Sequence, residues 1–484
     1  MSEDSTELLS QPIPSTTPPA WAEINLTADG SGDFRNLEEA VNHARAGAII
    51  RLGPGDYHLT RSLEVKQPLN LAGAGIEQTR IVSGAAGYVV QLSGDVAFTA
   101  YGITFEHEGS ASASVLVVTS GQIAFTWCRF SGAVREGDTG NEAGLLIDGS
   151  AGGLVKYCIF EKNPEAAGAL LCGQASAMLL DNVCSDNDVG IVIAGQATGS
   201  VLQNLCVRNS VGIWISGQAQ PRVSQNTCKY NEHGGIWYAA GTQGEADENE
   251  CSENGIGVVV AEQAHPALWR NICSHNRIGI SIGDMAQPTL GWNRCSDNKK
   301  AGIQFSDGAG GLADANECTE NEHGIEVYDQ ARPQLRNNSC TDNAAGIHIA
   351  GVAAPLATQN VCAKNQIGIQ VDDQSQPTLE QNTCADNRCG IAYSGTAAGT
   401  ATHNECTGGE IGIFATGDAC PRLERNACND NNAAGILFSM NSSGVASHNQ
   451  CMRNQVGIVV ARTAKPMLEN NDCRLNVTRG IGRM

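Results

Sequence analysis

A short phrase, N-x-C-x-x-N followed in nearly every repeat by G-I, returns about every 22 residues between Asn182 and Cys473. Each of its cysteines has an asparagine two residues before it. A second asparagine stands three residues after it, except in the one repeat where Gly409 replaces it. The cysteines of the phrase are Cys184, Cys206, Cys228, Cys251, Cys273, Cys295, Cys318, Cys340, Cys362, Cys384, Cys406, Cys428, Cys451 and Cys473. A fixed period of this length is typical of a solenoid in which one repeat is one turn of the chain.

One repeat is too short for a pair of helices but long enough for three short strands. In the repeat from Asn209 to Asn231, apolar and variable residues alternate over 212–215, as in a half-buried strand, and further strands fit at 222–225 and 227–230. Equivalent residues of successive turns would then stack about 4.8 Å apart, the spacing of neighbouring strands. Stacked asparagines can hydrogen-bond to one another and to the bent backbone. The sequence therefore predicts an all-β fold, a parallel β-helix.

Four segments differ in how regularly they follow the repeat. Residues 1–22 are rich in Ser, Thr and Pro and are predicted to be a disordered tail. Residues 23–84 are predicted to hold the N-terminal cap and the first turns. Residues 85–180 continue the coil less regularly, with an inserted polar loop at 133–142 that carries Arg135, Glu136 and Asp138. Residues 181–484 form the regular turns.

The predicted cap contains one amphipathic helix over residues 33–46. Its buried face is predicted to carry Leu37, Ala40, Val41 and Ala44, and its outer face Glu38, Glu39 and Arg45. Strands are predicted at 24–26, 48–52, 62–65, 69–71 and 80–82. Because a solenoid needs its end covered, this helix is well placed to close the coil. No such cover follows the last turn, so its open edge is a candidate surface for a partner or for a second copy of the chain.

The chain contains 19 cysteines, an odd number whose spacing is that of a stacked column rather than of disulfide pairs. Sixteen fit one column if Cys128 and Cys158 are its early members, and Cys172, Cys389 and Cys420 lie outside it. Free cysteines behave as small buried apolar residues and suit a reducing compartment. No group has zinc-site spacing, so we predict no metal ligand and no cofactor. The first residues lack the pattern of a secretory signal, and no apolar run is long enough for a membrane helix. We therefore expect a cytoplasmic protein with no membrane partner.

The formal net charge is −21, from 51 acidic and 30 basic residues. Binding to nucleic acid is therefore not expected, because phosphate recognition needs clustered cations. A negative charge of this size would instead suit a basic protein partner or a cation, or serve solubility alone.

The start of the chain resembles a known family. The stretches A-D-G-S-G-D-F at 28–34, L-E-E-A-V at 37–41 and G-P-G-D-Y at 53–57 are similar to the opening of pectin methylesterases and the wider pectate-lyase-like superfamily. That resemblance covers roughly residues 24–84 and implies a right-handed, single-stranded parallel β-helix. The repeats over about 150–480 resemble those of carbohydrate-binding and sugar-hydrolase domains, of nitrous-oxide-reductase accessory proteins and of certain F-box ubiquitin-ligase subunits. This second resemblance implies the fold and not a function, because the fold carries both enzymes and binding proteins.

The catalytic residues of the resembled esterases do not carry over. Pectin methylesterases need two aspartates and an arginine on central turns, in D-F-x-F-G and G-R-P-W stretches, and neither stretch is present. The nearest aspartates, Asp148 and Asp181, lack those neighbours. The D-P-H stretch of alginate epimerases is absent too, and no set of calcium-binding carboxylates and catalytic arginine of a lyase can be assigned. The sequence therefore assigns no catalytic residue and favours a protein that is not an enzyme.

Two groups of residues are candidates for binding. Five residues after the glycine of the repeat, in the turn that leaves the first strand, stand the acidic residues Glu262, Asp284, Asp307, Asp329 and Asp373. Two residues after that glycine, at an outward position, stand Trp214, Trp237, Glu326 and His348. Stacked carboxylates repel one another by about 1 kcal/mol per pair in a water-like dielectric. They therefore need solvent, separation, a cation or a basic partner. Exposed indoles can stack on sugar rings or anchor a protein interface.

Each candidate group also has a purely structural interpretation. Acidic residues are ordinary in turns, and the tryptophans can lie against their neighbours. His233 and His323, which share an N-E-H-G stretch, are interpreted as structural because they recur with the repeat.

Three functions remain open. The leading hypothesis is a non-catalytic intracellular scaffold that presents an acidic face to a protein partner, because the coil is regular and no catalytic set is present. The alternative is a polysaccharide-binding or polysaccharide-active protein of lyase, hydrolase or epimerase type, with a groove near Trp214, Trp237 and the acidic column. A weaker alternative is an acidic mimic of nucleic acid.

Overall fold

The structure, a computed structural model, describes residues 23–135, 137 and 140–483. The described chain is a single parallel β-solenoid of about 21 turns with about 22 residues per turn. The fold class is therefore confirmed. The tail predicted at 1–22, and Glu136 and Asp138 of the predicted loop, lie outside the described residues.

Each regular turn up to Glu405–Thr407 contains three strands, as the repeat predicts. In the later turns single bridge residues, Ala427, Gln450 and Asp472, replace the third strand. The first strands are Val211–Ile215, Gly234–Tyr238, Ile256–Val260, Ile278–Ile282, Ala301–Phe305, His323–Val327, Ala345–Ile349, Ile367–Val371, Cys389–Tyr393, Ile411–Ala415, Ala434–Phe438, Val456–Val460 and Arg479–Arg483. The second strands are Ser200–Leu202, Arg222–Ser224, Glu245–Asp247, Ala267–Trp269, Thr289–Gly291, Leu312–Asp314, Gln334–Arg336, Leu356–Thr358, Thr378–Glu380, Thr400–Thr402, Arg422–Glu424, Val445–Ser447 and Met467–Glu469. The third strands are Leu205–Val207, Thr227–Lys229, Glu250–Ser252, Ile272–Ser274, Arg294–Ser296, Glu317–Thr319, Ser339–Thr341, Val361–Ala363, Thr383–Ala385 and Glu405–Thr407.

The earlier turns have longer and less even strands. They are Glu23–Leu26, Ala48–Leu52, Gly55–His58, Leu63–Val65, Leu69–Gly73, Thr79–Ser83, Gly87–Leu92, Ala97–Tyr101, Thr104–His107, Ala113–Val118, Gln122–Thr126, Arg129–Ser131, Ala143–Ile147, Gly152–Lys156, Ile159–Leu171, Ser176–Leu180 and Val183–Ile193. From Ser200 onward, the second strands pair in parallel in one sheet, and the first and third strands belong to another. Inward-facing Ile, Val, Leu, Cys and Ala fill the narrow space between the sheets.

The asparagine that precedes each cysteine by two residues forms a continuous ladder inside the coil. Asn293 is representative. Its Nδ2 donates to the carbonyl oxygen of Leu268 at 2.9 Å and to Oδ1 of Asn316 at 2.9 Å. Its Oδ1 accepts from the backbone N–H of Asn271 at 3.0 Å. Each amide therefore satisfies backbone groups that the corner leaves out of the strands, which explains why this position is always asparagine.

The predicted cysteine column is correct from Cys184 onward and wrong before it. The residue paired with Cys184 on the preceding turn is Phe160, not Cys158, and Phe130 pairs with Phe160 in turn. Cys158 instead occupies the position on the preceding turn that is in line with the asparagine ladder. Its backbone N–H donates to Oδ1 of Asn182 at 2.9 Å. Wider spacing in the irregular turns displaces these cysteines from the column, and stacked phenylalanines fill their place.

The predicted capping helix is present but shorter, spanning Leu37–His43. Asn36 is its N-cap and accepts from the backbone N–H of Glu39. Leu37, Ala40, Val41 and Ala44 are buried as predicted. Glu38 does not lie on the outer face: it is buried, and its Oε1 accepts from the backbone N–H of Thr60 at 2.8 Å. Among the described residues, no helix is long and apolar enough to cross a membrane.

Candidate functional site

One outward-facing row of side chains follows the first strands along the coil. In register from turn to turn it contains Val192, Trp214, Trp237, Val259, Ser281, Gln304, Glu326, His348, Gln370 and Ala392. The structure therefore places Trp214, Trp237 and Glu326 on one face, as predicted. Four strand spacings separate Trp237 from Glu326, about 19 Å along the axis.

Trp214 and Trp237 stack on each other. Their ring centroids are 5.1 Å apart and their planes differ by 12°. Both indoles are half-buried rather than fully exposed. Among the described residues, neither indole N–H donates a hydrogen bond, so both donors remain available to a ligand.

A cleft of about 1130 Å³ opens over this tryptophan pair. Its apolar floor is formed by Trp214, Trp237 and branched side chains of neighbouring turns. The polar groups of its lining include Arg135, Asn141, Asp148, Asp188, Ser210, Glu232, His233 and Arg277. Within this lining, Arg135, which comes from the predicted inserted loop, pairs with Asp188 at 3.1 Å. A large apolar cleft with a few convergent polar groups is the common form of a ligand site.

Cys172 lines the same cleft beside Asp148. Burial raises the pKa of its thiol to about 12, and the neighbouring Asp148 carboxylate adds to the effect. The thiol is therefore protonated at neutral pH and serves the cleft as a small apolar group. The sequence identified Cys172 only as a cysteine outside the column.

The acidic column has a structural explanation that the sequence did not provide. Glu262, Asp284, Asp307, Asp329 and Asp373 all adopt a left-handed conformation, with φ between 53° and 59°. Their carboxylates accept from backbone N–H groups of the preceding turn. For example, Asp284 accepts from Glu262 at 2.8 Å, and Asp373 from Gly351 at 2.9 Å. Short polar residues tolerate this backbone region, so the column fits the geometry of the turn. These side chains are exposed and lie apart from the tryptophan cleft.

Glu326 does not belong to that column but to a half-buried polar cluster further along the row. Its Oε2 accepts from Lys300 Nζ at 3.0 Å and from Gln304 Nε2 at 2.5 Å. Its Oε1 lies 3.9 Å from His323 Nε2 and 3.9 Å from His348 Nδ1. The two imidazole rings lie side by side, with centroids 4.5 Å apart. His323, interpreted from the sequence as structural, is therefore in direct contact with a charged cluster.

One carboxylate and two imidazoles of this cluster have shifted pKa values. Burial opposes the charged form of Glu326, but the nearby His348 and the hydrogen bonds from Gln304 and Lys300 outweigh it and lower its pKa to about 2. Burial likewise opposes the charged form of His348, but Asp372 and Glu326 raise its pKa to about 9. The pKa of His323 is lowered by burial and by its neighbour His348. A set of buried groups with such different pKa values is typical of functional sites.

The sequence did not identify the other members of this cluster. Lys300, His323 and Asp372 stand off the two columns compared in the sequence. Gln304 lies in the same row as Glu326 and His348, but it was not singled out there. Asp372 Oδ2 lies 3.0 Å from His348 Nε2. Among the described residues, His323, Glu326 and His348 are a group whose ligand atoms lie close enough together to hold a metal ion. The prediction of no metal ligand did not consider this group, because it was based on cysteine spacing.

Comparison with solved structures finds low sequence identity throughout. A mutant of the periplasmic alginate epimerase AlgG is 10% identical over 65% of this chain and 78% of its own, with a TM-score of 0.42. Gene product 12 of bacteriophage phi29 is 9% identical over 92% of this chain and 70% of its own, with a TM-score of 0.44. The pectin methylesterase from Aspergillus niger is 14% identical over 61% of this chain and 87% of its own, with a TM-score of 0.28. No curated protein sequence matches the chain.

Sequence models of protein families give a more direct result. The model described as the right handed beta helix region matches six overlapping segments, 73–227, 113–265, 201–313, 235–367, 279–421 and 345–482. Together these segments cover most of the chain, including every regular turn of the coil. The chain therefore belongs to the right-handed β-helix family.

Proposed function

We propose that this protein binds a saccharide chain along the outward face of the first strands, with the Trp214–Trp237 pair as its principal contact. The observation that carries the proposal is the position of this pair, half-buried and with available N–H donors, at the floor of a cleft of about 1130 Å³. Sugars present both apolar C–H surface and hydroxyl groups, and an indole with a polar surround can meet both.

The charges of the cleft support a polar ligand. Arg135 is paired with Asp188, but Arg277 is exposed, and no ion-pair partner is found for it among the described residues. Asp148 and Glu232 supply carboxylate acceptors nearby. Cations and carboxylates interspersed around aromatic rings can bind several hydroxyl groups, and Arg277 can additionally pair with a carboxylate of an acidic sugar.

The row continues from the cleft toward the polar cluster, so the same face can contact a chain longer than a single sugar. Val259 and Ser281 separate Trp237 from Gln304 in register. Small side chains between two polar or aromatic sites leave a path along the coil axis. This geometry favours an extended ligand over a small compact one.

The hypothesis of a protein-binding scaffold remains a second proposal. It was based on the regular coil, the absence of a recognisable catalytic set and the acidic face. The spacing of the acidic column is now accounted for by the turn geometry. The scaffold hypothesis assigns no role to the tryptophan cleft. Saccharide binding therefore explains more of the described surface.

The test is titration with neutral and uronic-acid oligosaccharides, measured by tryptophan fluorescence and by calorimetry. We expect binding to the native chain, weakened at least about tenfold by Trp214→Ala, a loss of about 1.4 kcal/mol. Trp292→Ala is the matched control, because Trp292 is 62% exposed and does not line the cleft. The proposal fails if no oligosaccharide binds, or if both variants bind equally well. A protein partner recovered instead, and lost on neutralising the acidic column, would support the scaffold.

A further inference from the structure

We propose that His323, Glu326 and His348 form a binding site for a divalent transition-metal ion, with zinc as the representative ion. The ligand atoms would be Nε2 of His323, Oε1 of Glu326 and Nδ1 of His348. This inference does not depend on the saccharide cleft.

The strand geometry brings the three groups together. His323 and Glu326 are three residues apart on the strand His323–Val327, and Glu326 pairs in register with His348 on the next turn. The register partner of His323 is the small residue Ala345, which leaves space beside its ring. Two imidazoles from neighbouring turns therefore converge on one carboxylate oxygen.

The distances are close to those of a coordinated ion. Glu326 Oε1 is 3.9 Å from each imidazole nitrogen, and the three ligand atoms all lie within 4.8 Å of one another. Zinc bonds of about 2.0–2.2 Å in a tetrahedral arrangement place neighbouring ligand atoms roughly 3.4 Å apart. Small side-chain rotations that shorten these separations would complete the site.

Asp372 and Lys300 supply the surroundings that such a site needs. An ionised carboxylate can only accept, so His348 Nε2 must donate to Asp372 Oδ2, 3.0 Å away. That bond orients the ring and directs Nδ1 toward Glu326, as carboxylates do for metal-bound histidines. Lys300 and Gln304 hold Oε2 of Glu326 and leave Oε1 free to face the histidines.

The two imidazoles also lack the partners that buried nitrogen atoms normally have. Nδ1 of His348 is buried and has no hydrogen-bond partner within the described part of the chain, and the same is true of Nδ1 of His323. At 3.9 Å, an N–H···O bond from His348 to Glu326 is too long. Metal binding displaces the Nδ1 proton of His348, and a cation between Nδ1 and the carboxylate oxygen would take the place of that proton.

The ligand types select the class of ion. Imidazole nitrogen suits zinc and other late first-row metals, whereas calcium and magnesium prefer all-oxygen sites. Three protein ligands leave one tetrahedral position open for water or a ligand. The carboxylates of Glu326 and Asp372 and the ammonium of Lys300 give the cluster a net charge of −1 when both imidazoles are neutral, which favours a divalent ion.

The test is calorimetric titration of the chelator-treated full chain with Zn²⁺, together with the visible spectrum after Co²⁺ is added. We expect one equivalent of Zn²⁺ with a Kd of roughly 1 μM or below. We also expect the intense cobalt absorption of a four- or five-coordinate site. His323→Ala and His348→Ala should weaken binding at least a hundredfold, and Asp372→Asn about 10- to 100-fold. His403→Ala is the matched control, because His403 is exposed and outside the cluster.

Two results would overturn the inference. One is a wild-type chain that binds no Zn²⁺ at concentrations up to about 100 μM, which would leave a proton-linked polar network as the role of the cluster. The other is equal binding by wild type, His323→Ala and His348→Ala, which would place the ion elsewhere. Because a ligand variant can fail to fold, circular dichroism is recorded for each one. The cobalt spectrum of the wild type alone decides the case if they unfold.

Discussion

Gly291 leaves the space that the indole of Trp269 occupies. The two residues pair in register on neighbouring turns, and a Cβ atom on Gly291 would lie 2.1 Å from Cζ3 of Trp269. The ring therefore lies over the backbone of the next turn and is half-buried there.

Gly291→Ala should force the Trp269 ring out of this position and destabilise the protein by about 1–3 kcal/mol, the usual cost of overpacking. Trp269→Ala should relieve the cost in the double variant, with a coupling energy of about 1 kcal/mol or more. Urea denaturation measures both. Gly241→Ala is the control, since no atom lies near the added methyl group and its φ is not positive. Additive effects of the two substitutions would show that the ring and the glycine are independent.

Asn293→Ala should destabilise the coil by about 3 kcal/mol. The substitution removes the acceptor of the Asn271 backbone N–H and leaves the buried Leu268 carbonyl without its donor. Thermal and urea unfolding measure the loss. Arg294→Ala, an exposed neighbour on the third strand, should change stability by less than about 0.5 kcal/mol. An unchanged midpoint for Asn293→Ala would contradict the role assigned to the ladder.

Asp307→Gly and Asp307→Val should differ in stability, although both remove the same carboxylate. The φ of Asp307 is 55°, which glycine adopts freely and a β-branched residue does not. We expect Asp307→Val to be less stable than Asp307→Gly by about 1–2 kcal/mol. Chemical denaturation of the two proteins gives this difference directly. Equal stabilities would mean that the turn does not select its residue by backbone conformation.

Thiol alkylation of the folded protein at pH 8 should modify Cys420 and spare the other cysteines. Cys420 is exposed, whereas the column cysteines are buried apart from the half-buried Cys473. Cys172 is also only half-buried, but its pKa of about 12 leaves on the order of one thiol in ten thousand ionised at pH 8. Its labelling should rise about tenfold per pH unit toward pH 12. Mass spectrometry of peptides locates the label, and Cys420→Ser is the control. Rapid labelling of Cys172 at pH 8 would contradict the raised pKa.

The regular turns could be predicted from the sequence because a constant repeat length determines where each residue lies in its turn. Asparagine, cysteine and glycine recur at fixed places, and a 22-residue turn with three corners brings each into its own column. The same argument failed at Cys158, which was assigned by residue type rather than by register. There the turns are longer, and the phenylalanine two residues later takes the place of the cysteine.

The tryptophan pair of the candidate site could also be predicted from the repeat. Trp214 and Trp237 are successive members of one column, so their stacking follows from the repeat. The polar cluster follows the same column only in Gln304, Glu326 and His348, and its other members lie off it. Lys300 reaches Glu326 across a spacing of 26 residues, and His348 reaches Asp372 across 24, so both contacts run diagonally between turns. Only side-chain conformations in three dimensions bring these groups together.

The asparagine ladder has a direction. From Asn182 to Asn471, each amide donates through Nδ2 to Oδ1 of the asparagine on the following turn. Amide dipoles aligned in series add and polarise one another. The side-chain amide dipoles are therefore aligned along the axis of the coil. Their oxygen acceptors face the earlier turns, and their N–H donors face the later turns. A turn added before the ladder would meet amide oxygen acceptors, and a turn added after it would meet amide N–H donors. The two ends of the ladder therefore differ chemically.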